Sequence, residues 1–324
     1  MSTRVTNEKN KAACLNPAFR QANGPETTRV HLFRKTDGRS AGPPHGRWLA
    51  VMRRILAISA LLAAGVAAAA PPPPVYTVGV VPQYTAKEIQ QIWRPVLDEL
   101  ERRTGLRLLL TGSPTIPAFE KAFTEGRFDF AYMNPYYSAQ AMEKRHAIPL
   151  VQDAGEPLYG ILVVRRDGPI REVRELDGKL VAFPSPNALG ASLFLQADFR
   201  DRLHIAVVPR YVQSHSSVYL NVMLGQTAAG GGVQKTLAQQ PPEVRNALRV
   251  IHRTREFPAH PFVAHSRVPA QDREKIRAAF LQLGREEAGR RLLARIPIRR
   301  IGPAAAAEYR PLLELGLERF YREE

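Results

Sequence analysis

Apolar positions along the chain switch repeatedly between strand-like and helical spacing from about residue 75 onward. Residues 75–81 (VYTVGVV) are rich in β-branched side chains and predict a strand. Ile89, Ile92, Trp93, Val96, Leu97 and Leu100 then recur at helical steps, predicting an amphipathic helix kinked at Pro95 and stopped at Gly105. A strand over 106–111 follows, then a helix marked by Ile116, Phe119 and Phe123 and closed by Gly126. Residues 128–132 read as a short strand, Pro135 starts a helix running to about 145, and 148–152 and 159–165 read as strands. After the loop Asp167-Gly168-Pro169 a second set begins. It has a turn at Leu176-Asp177-Gly178-Lys179, strand 180–183, helix 189–200, strand 205–209 and a helix over 216–224 ended by Gly225. Gly230-Gly231-Gly232 then precedes a helix near 233–239, and 248–253 is a strand. The rest reads as helical, with Ile276, Phe280 and Leu283 on one face and a last segment over 304–321. Strands alternating with helices in two sets predict an open α/β architecture of two lobes with a cleft between them.

The first seventy residues do not share this pattern. Residues 1–50 carry no sustained apolar period. Met52-Arg53-Arg54 is followed by an apolar run over 55–64 and by small residues over 65–70, the layout of a secretory signal peptide. The run is short and Ala-rich for a membrane span, and an N-terminal membrane anchor is the alternative reading. Cleavage near Ala70 would leave a mature chain beginning at Pro71–Pro74 and exported to the periplasm. Residues 1–51 are read as an extension upstream of the true start, or a disordered one, and 52–70 as the signal peptide.

Composition narrows the chemistry. The 324 residues, 44% hydrophobic and 23% charged, suffice for two average domains with real cores. The formal net charge of +16 suggests nucleic acid, but half of that excess lies in residues 1–70. Arg290-Arg291 and Arg299-Arg300 lack interleaved stacking aromatics and read as solvated faces, so no nucleic-acid partner is expected. The only cysteine is Cys14, which removes disulfides, thiolate metal clusters and a thiol nucleophile from residues 71–324. His260 and His265 flank Pro261 without a completing carboxylate pattern, so neither metal nor cofactor is expected. No nucleophile elbow, zinc-protease motif or phosphate-binding loop occurs there either, and no catalytic residue is assigned.

Candidate binding groups stand at loop-to-helix junctions. Pro186-Asn187-Ala188-Leu189-Gly190 opens a helix, whose first N–H groups and dipole favour an anion; an ordinary helix capped by Asn187 is the alternative. His215 opens another helix and can donate to an oxyanion, or serve as a buried structural histidine. Tyr136 and Tyr137 follow Asn134-Pro135 at the C-terminal end of a strand, where open α/β sheets place ligands, and Tyr84 lies in the first strand-to-helix loop. The three glycines at 230–232 either let backbone amides approach a ligand or make a plain turn.

Several segments resemble the periplasmic phosphate/phosphite/phosphonate-binding proteins of ABC importers, a branch of the type 2 periplasmic binding fold. They are Gly79-Val80-Val81-Pro82-Gln83, Trp93-Arg94-Pro95-Val96-Leu97, the run over 126–137 (GRFDFAYMNPYY), Leu176-Asp177-Gly178-Lys179 and Ser214-His215-Ser216-Ser217-Val218-Tyr219. The resemblance implies two lobes, each an open mixed sheet flanked by helices, that close on a ligand by hinge motion. Lobe I would combine residues 75–165 with 254–324 and lobe II would be 166–253, with crossovers near 164–167 and 252–256. It also implies a non-catalytic solute-binding component that delivers a small anion to a membrane permease. A sensor feeding a histidine kinase or chemoreceptor is the alternative, and a periplasmic hydrolase is less favoured. Relatives wrap the phosphonate with a Ser/Thr run, where this chain has Asn187, Ala188 and Leu189, with Ser192 a turn later. His215 holds the family's Ser-His position, and one of Tyr136 and Tyr137 matches its cleft tyrosine. Relatives also carry an acidic residue for an amine where this chain has Ala228, which argues against an aminoalkylphosphonate.

Overall fold

Strand β1 (Val75–Val80) is exposed at its first residue and fully buried from Val78 onward, as suits a strand entering the middle of a sheet. In the computed structural model the described residues are 72–296 and 298–322, so the expectations for residues 1–51 and 52–70 lie outside them. Helix α1 (Ala86–Thr104) begins with a capping box: Thr85 N–H donates to the Glu88 carboxylate at 2.8 Å while Glu88 N–H donates to Thr85 Oγ1 at 3.3 Å. It ends at Gly105, whose φ of 70° is the left-handed value that glycine adopts freely. Pro95 does not break the helix. It leaves the Gln91 carbonyl without its intrahelical donor, and the Arg295 guanidinium supplies one at 3.1 Å. The apolar face of α1 packs Trp93 near Phe262, which in turn meets Phe130 and Phe280.

The first sheet continues with β2 (Arg107–Thr111), helix α2 (Ile116–Thr124), β3 (Phe130–Tyr132), helix α3 (Pro135–Arg145) and β4 (Ile148–Asp153). The chain then crosses to a second sheet. This contains β5 (Leu158–Arg165), β6 (Leu180–Phe183), a helix α4 over residues 189–203, β7 (Val208–Tyr211), helix α5 (His215–Met223), β8 (Ala229–Val233), the short helices α6 (Gln234–Ala238) and α7 (Pro242–Ala247), and β9 (Leu248–Phe257). It returns for β10 (Phe262–Ala264), helices α8 (Ala270–Arg285) and α9 (Glu287–Leu293), β11 (Ile301–Pro303) and the single-turn α10 (Ala306–Tyr309).

Strand order is β11-β4-β10-β3-β1-β2 in one sheet and β7-β6-β8-β5-β9 in the other, each mixing parallel and antiparallel pairs. The two-sheet mixed α/β fold expected from the sequence is the fold observed. The lobe boundaries differ from the expectation. Strand β5 pairs antiparallel with both β8 and β9, so it belongs wholly to the second sheet, as does β9 through Phe257. The crossovers therefore run over residues 154–157 and 258–261, not 164–167 and 252–256. The tail differs too: β10 and β11 lie in the stretch read as entirely helical, and residues 310–320 make tight turns after α10 rather than one helix.

The glycine run at 230–232 is no turn. It forms most of β8, at the centre of the second sheet. A Cβ on Gly231 would stand 2.0 Å from the Ala191 carbonyl, and one on Gly232 would stand 2.1 Å from the Tyr219 hydroxyl. Glycine is required there because α4 and α5 press onto opposite faces of β8.

Candidate functional site

Between the two sheets lies a cavity of about 20 Å³, room for one water-sized group. From lobe I it is lined by Val81 and Gln83 beyond β1, by Ile116 and Asn134, and by His260 in the second crossover. From lobe II it is lined by residues 188–191, His215 and Val233. Four of these positions begin the longer helices: Ile116 is the first residue of α2, Asn134 caps α3, Ala188 precedes α4 and His215 is the first residue of α5; Val233, at the cap of the five-residue α6, is a fifth helix beginning. Four positive helix ends therefore converge on one small space.

Three of those helices cap themselves. Thr115 Oγ1 accepts from Ala118 N–H at 3.1 Å, Asn134 Oδ1 from Tyr137 N–H at 2.8 Å, and Ser214 Oγ from Ser217 N–H at 3.1 Å. Helix α4 has no such group, because Ala188 at its cap position has no side-chain acceptor. The first-turn N–H groups of Leu189, Gly190 and Ala191 are donors that a helix cannot satisfy internally, and they belong to residues lining the cavity.

Among the described residues the only ionisable side chains lining the cavity are its two histidines, and both are neutral near pH 7. Burial pushes His215 down to about 3. Burial, then charge repulsion from Lys235 and from any proton on His215, does the same to His260. His215 is 2% exposed, its Nδ1 lies 3.2 Å from Thr236 Oγ1, and its backbone N–H crosses the lobes to the Gln83 carbonyl at 3.0 Å. His260 stacks on Tyr132 with centroids 5.4 Å apart. Burial raises the hydroxyls of Tyr84, Tyr132 and Tyr219, so all three remain protonated donors. The result is an electropositive space built from neutral donors and helix ends.

The residues singled out from the sequence divide into two groups. Ala188, Leu189 and His215 line the cavity together. Tyr84 lines an adjoining interlobe chamber. Asn187 is 1% exposed and spends its amide on the protein: Nδ2 donates to Glu120 at 2.9 Å and to the Arg322 carbonyl at 2.7 Å, and Oδ1 accepts from Arg322 N–H. Tyr137 donates its hydroxyl to the Glu120 carbonyl at 2.6 Å and sits 2.6 Å from Thr124 Oγ1. Tyr136 packs on Tyr321 and reaches Glu318 at 3.5 Å. Both tyrosines therefore frame α3 rather than lining the cavity. Ser192 donates to the Ser185 carbonyl, and Ala228 lines a separate depression beside Lys179 and Arg165. His260, Gln83 and Asn134 line the cavity without having been candidates. Gln83 and Asn134 lay inside the segments that carried the family resemblance, whereas His260 had no sequence signal beyond being a histidine.

A family model described as ABC transporter, phosphonate, periplasmic substrate-binding protein matches residues 78–309. Among solved structures, a binding protein component of an ABC phosphonate transporter from Pseudomonas aeruginosa aligns with a TM-score of 0.69 at 18% identity, covering 76% of this chain and 87% of that one. PhnD1 from Prochlorococcus marinus in complex with methylphosphonate aligns with a TM-score of 0.68 at 15% identity, covering 76% and 98%. A Xanthomonas citri protein bound to ATP aligns with a TM-score of 0.60 at 20% identity, covering 76% and 98%. At these identities the structures show a shared fold.

Proposed function

Because the chain belongs to the periplasmic substrate-binding proteins of phosphonate ABC transporters, we propose that an oxyanion of the phosphate, phosphite or phosphonate type sits at the start of α4, widening the one-water cavity there by displacing the Gln83 carbonyl from His215. The family is a transport component, not an enzyme, so the task is capture and release: the lobes close on the anion in the periplasm and hand it to a membrane permease. Closure is favoured in proportion to how much better the closed form binds the ligand.

The observation that carries this reading is the uncapped start of α4, the one of the four longer helices beginning at the cavity that has no side-chain cap. An anion at that point is the missing cap, accepting from the N–H groups of residues 189–191 and gaining from four aligned dipoles. His215 adds a donor from its ring or its backbone. In the structure the Gln83 carbonyl takes that backbone N–H, in the place an anionic oxygen would occupy. Asn187, Tyr136 and Tyr137 serve as framework in this reading. His260 faces His215 across the cavity and joins the binding set.

Ala188→Asp tests it. An aspartate at the cap position satisfies the first turn of α4 and places a negative charge where the anion would sit. Isothermal titration with phosphate, phosphite and methylphosphonate should show micromolar or tighter binding of at least one by the parent protein, and none by the variant, with thermal stability kept. Undiminished binding by Ala188→Asp would rule out the site.

A further inference from the structure

A second interlobe space adjoins the anion cavity. It encloses about 420 Å³ between the loop after β1 and the first turns of α1 on one side and Gln213, Ser214 and Ser217 on the other. The two spaces border each other at one contact between the lobes: Gln83 and His215, joined by the His215 N–H to Gln83 carbonyl bond, line the cavity, and their chain neighbours Tyr84 and Ser214 line the chamber. A ligand that takes the His215 N–H for its own oxygen releases that contact.

Three features of the chamber bear on what enters it. Tyr84, only 9% exposed, has a buried hydroxyl with no hydrogen-bond partner among the described residues. A buried donor left unpaired is costly, and a ligand acceptor placed there removes the cost. Gln213 has φ 72°, a left-handed conformation rare for a side-chain-bearing residue. The other two such residues among the described ones, His146 and His204, end helices α3 and α4, but Gln213 ends none, and its strain lies in the lining of this chamber. Finally, among the described residues no charged side chain lines the chamber. The carboxylate acting on Tyr84 is Glu88, which is committed to the Thr85 N–H, and the positive ends of α1 and α5 both border the space. An ammonium group would find no counter-charge there and two opposing dipoles.

Resting on the proposed anion site, we propose that the ligand is an organophosphonate whose substituent is uncharged and hydrogen-bonding, of the hydroxyalkyl kind, lodged against Tyr84 and Gln213. The phosphonate head meets α4 and His215, and the substituent's hydroxyl accepts from Tyr84.

Titration of the purified protein with methylphosphonate, 2-hydroxyethylphosphonate and 2-aminoethylphosphonate tests this, since the last two are nearly equal in size and differ in charge. The hydroxyethyl compound should bind at least tenfold tighter than either of the others. In Tyr84→Phe, which keeps the ring and the packing, the ratio of hydroxyethyl to methyl affinity should collapse to near one. Equal or tighter binding of the aminoethyl compound overturns the inference, as does a Tyr84→Phe variant that keeps the ratio. If methylphosphonate binds and the hydroxyl adds nothing, this inference fails and the anion site stands. If none of these compounds and no inorganic phosphate or phosphite binds, both fail.

Discussion

Asn187 and Arg322 grip each other through two hydrogen bonds: the Asn187 Oδ1 accepts from the Arg322 N–H at 2.9 Å, and its Nδ2 donates to the Arg322 carbonyl at 2.7 Å. The same Nδ2 donates to the buried carboxylate of Glu120 in α2. One amide thus joins the loop before α4 in the second lobe, a helix of the first lobe, and the C-terminal segment. That segment makes further contacts with the second lobe, through the Arg319–Asp201 ion pair and through Arg322 over the Tyr211 ring.

Asn187→Ala removes all of these bonds at once and leaves Glu120 short of a donor. The expected cost is about 2–4 kcal/mol in urea denaturation. Because the bonds cross between lobes, faster anion release should accompany it in stopped-flow measurements. A variant as stable as its parent would mean that the amide is not a tie between the lobes.

The β8 glycines give a sharper test of the fold. Gly231→Ala puts its methyl into the Ala191 carbonyl and within 2.9 Å of Phe183 and Leu195, so backbone must move, at a cost of about 3 kcal/mol or more. Gly112→Ala is the control, since nothing lies within 4 Å of its Cβ and its φ is ordinary. Soluble expression and thermal unfolding of the pair should separate clearly. If Gly231→Ala unfolds with the parent protein, the close contact of α4 with β8 is wrong.

That run also shows where the sequence is silent. Glycine carries low strand propensity, so three in a row read as a turn or as a ligand-facing loop, and only the partners α4 and α5 reveal why no side chain fits. Helices α1, α2, α3 and α5 were legible because their periodic apolar faces and their caps are local features. The placing of β5 and β9 in the second sheet was not, because it depends on register between residues about 90 apart, such as Ile161 with Arg253. Strands β10 and β11 are three residues each, too short for any alternation to register. In the site, His215 and residues 188–189 could be reached from the helix-start pattern. Asn187 was drawn away by partners 67 and 135 residues distant, which no local pattern encodes.

Tyr137→Phe separates framework from site. Its hydroxyl is satisfied by the Glu120 carbonyl and Thr124, and burial pushes it up to about 12. Deleting it should lower stability by about 1 kcal/mol while anion affinity stays the same. A tenfold loss of affinity would return Tyr137 to the binding set.

The two cavity histidines make the protein acid-sensitive. Burial holds each at about 3, well below its ordinary 6.5. Between those values the unfolded chain binds protons that the native chain refuses, so stability is fully present above pH 6.5 and falls as pH drops toward 3. Each histidine contributes a slope of up to about 1.4 kcal/mol per pH unit. Urea denaturation at pH 5.5 should therefore show about 2–3 kcal/mol less stability than at pH 7.5, with His215→Asn and His260→Asn each removing roughly half of the difference. A flat profile across that range would show that these rings are not held neutral by burial.

Asp153 and Lys235 form a second tie between lobes, from the end of β4 to α6 beside the first crossover. Both side chains are nearly inaccessible, at 3% and 10% exposed. Burial alone would raise the carboxyl, but the ammonium of Lys235 and the backbone N–H groups of Arg300 and Gly155 outweigh it and hold Asp153 below its ordinary value. This stability is present above about pH 4 and is lost only as pH falls through the lowered value, so between pH 7.5 and 5.5 only the histidines contribute. Lys235→Met leaves a buried carboxylate without its counter-charge, an expected loss of roughly 2–4 kcal/mol, tempered by the backbone donors that remain. Asp153→Asn in the same chain should recover part of it, because the neutral amide no longer needs the ammonium. The pair also fixes how the lobes meet next to the hinge, so Lys235→Met should widen the lobes in small-angle scattering and weaken anion binding, and the double variant should restore neither in full. Unaltered scattering together with parental affinity would show that Asp153 and Lys235 stabilise the fold without governing closure.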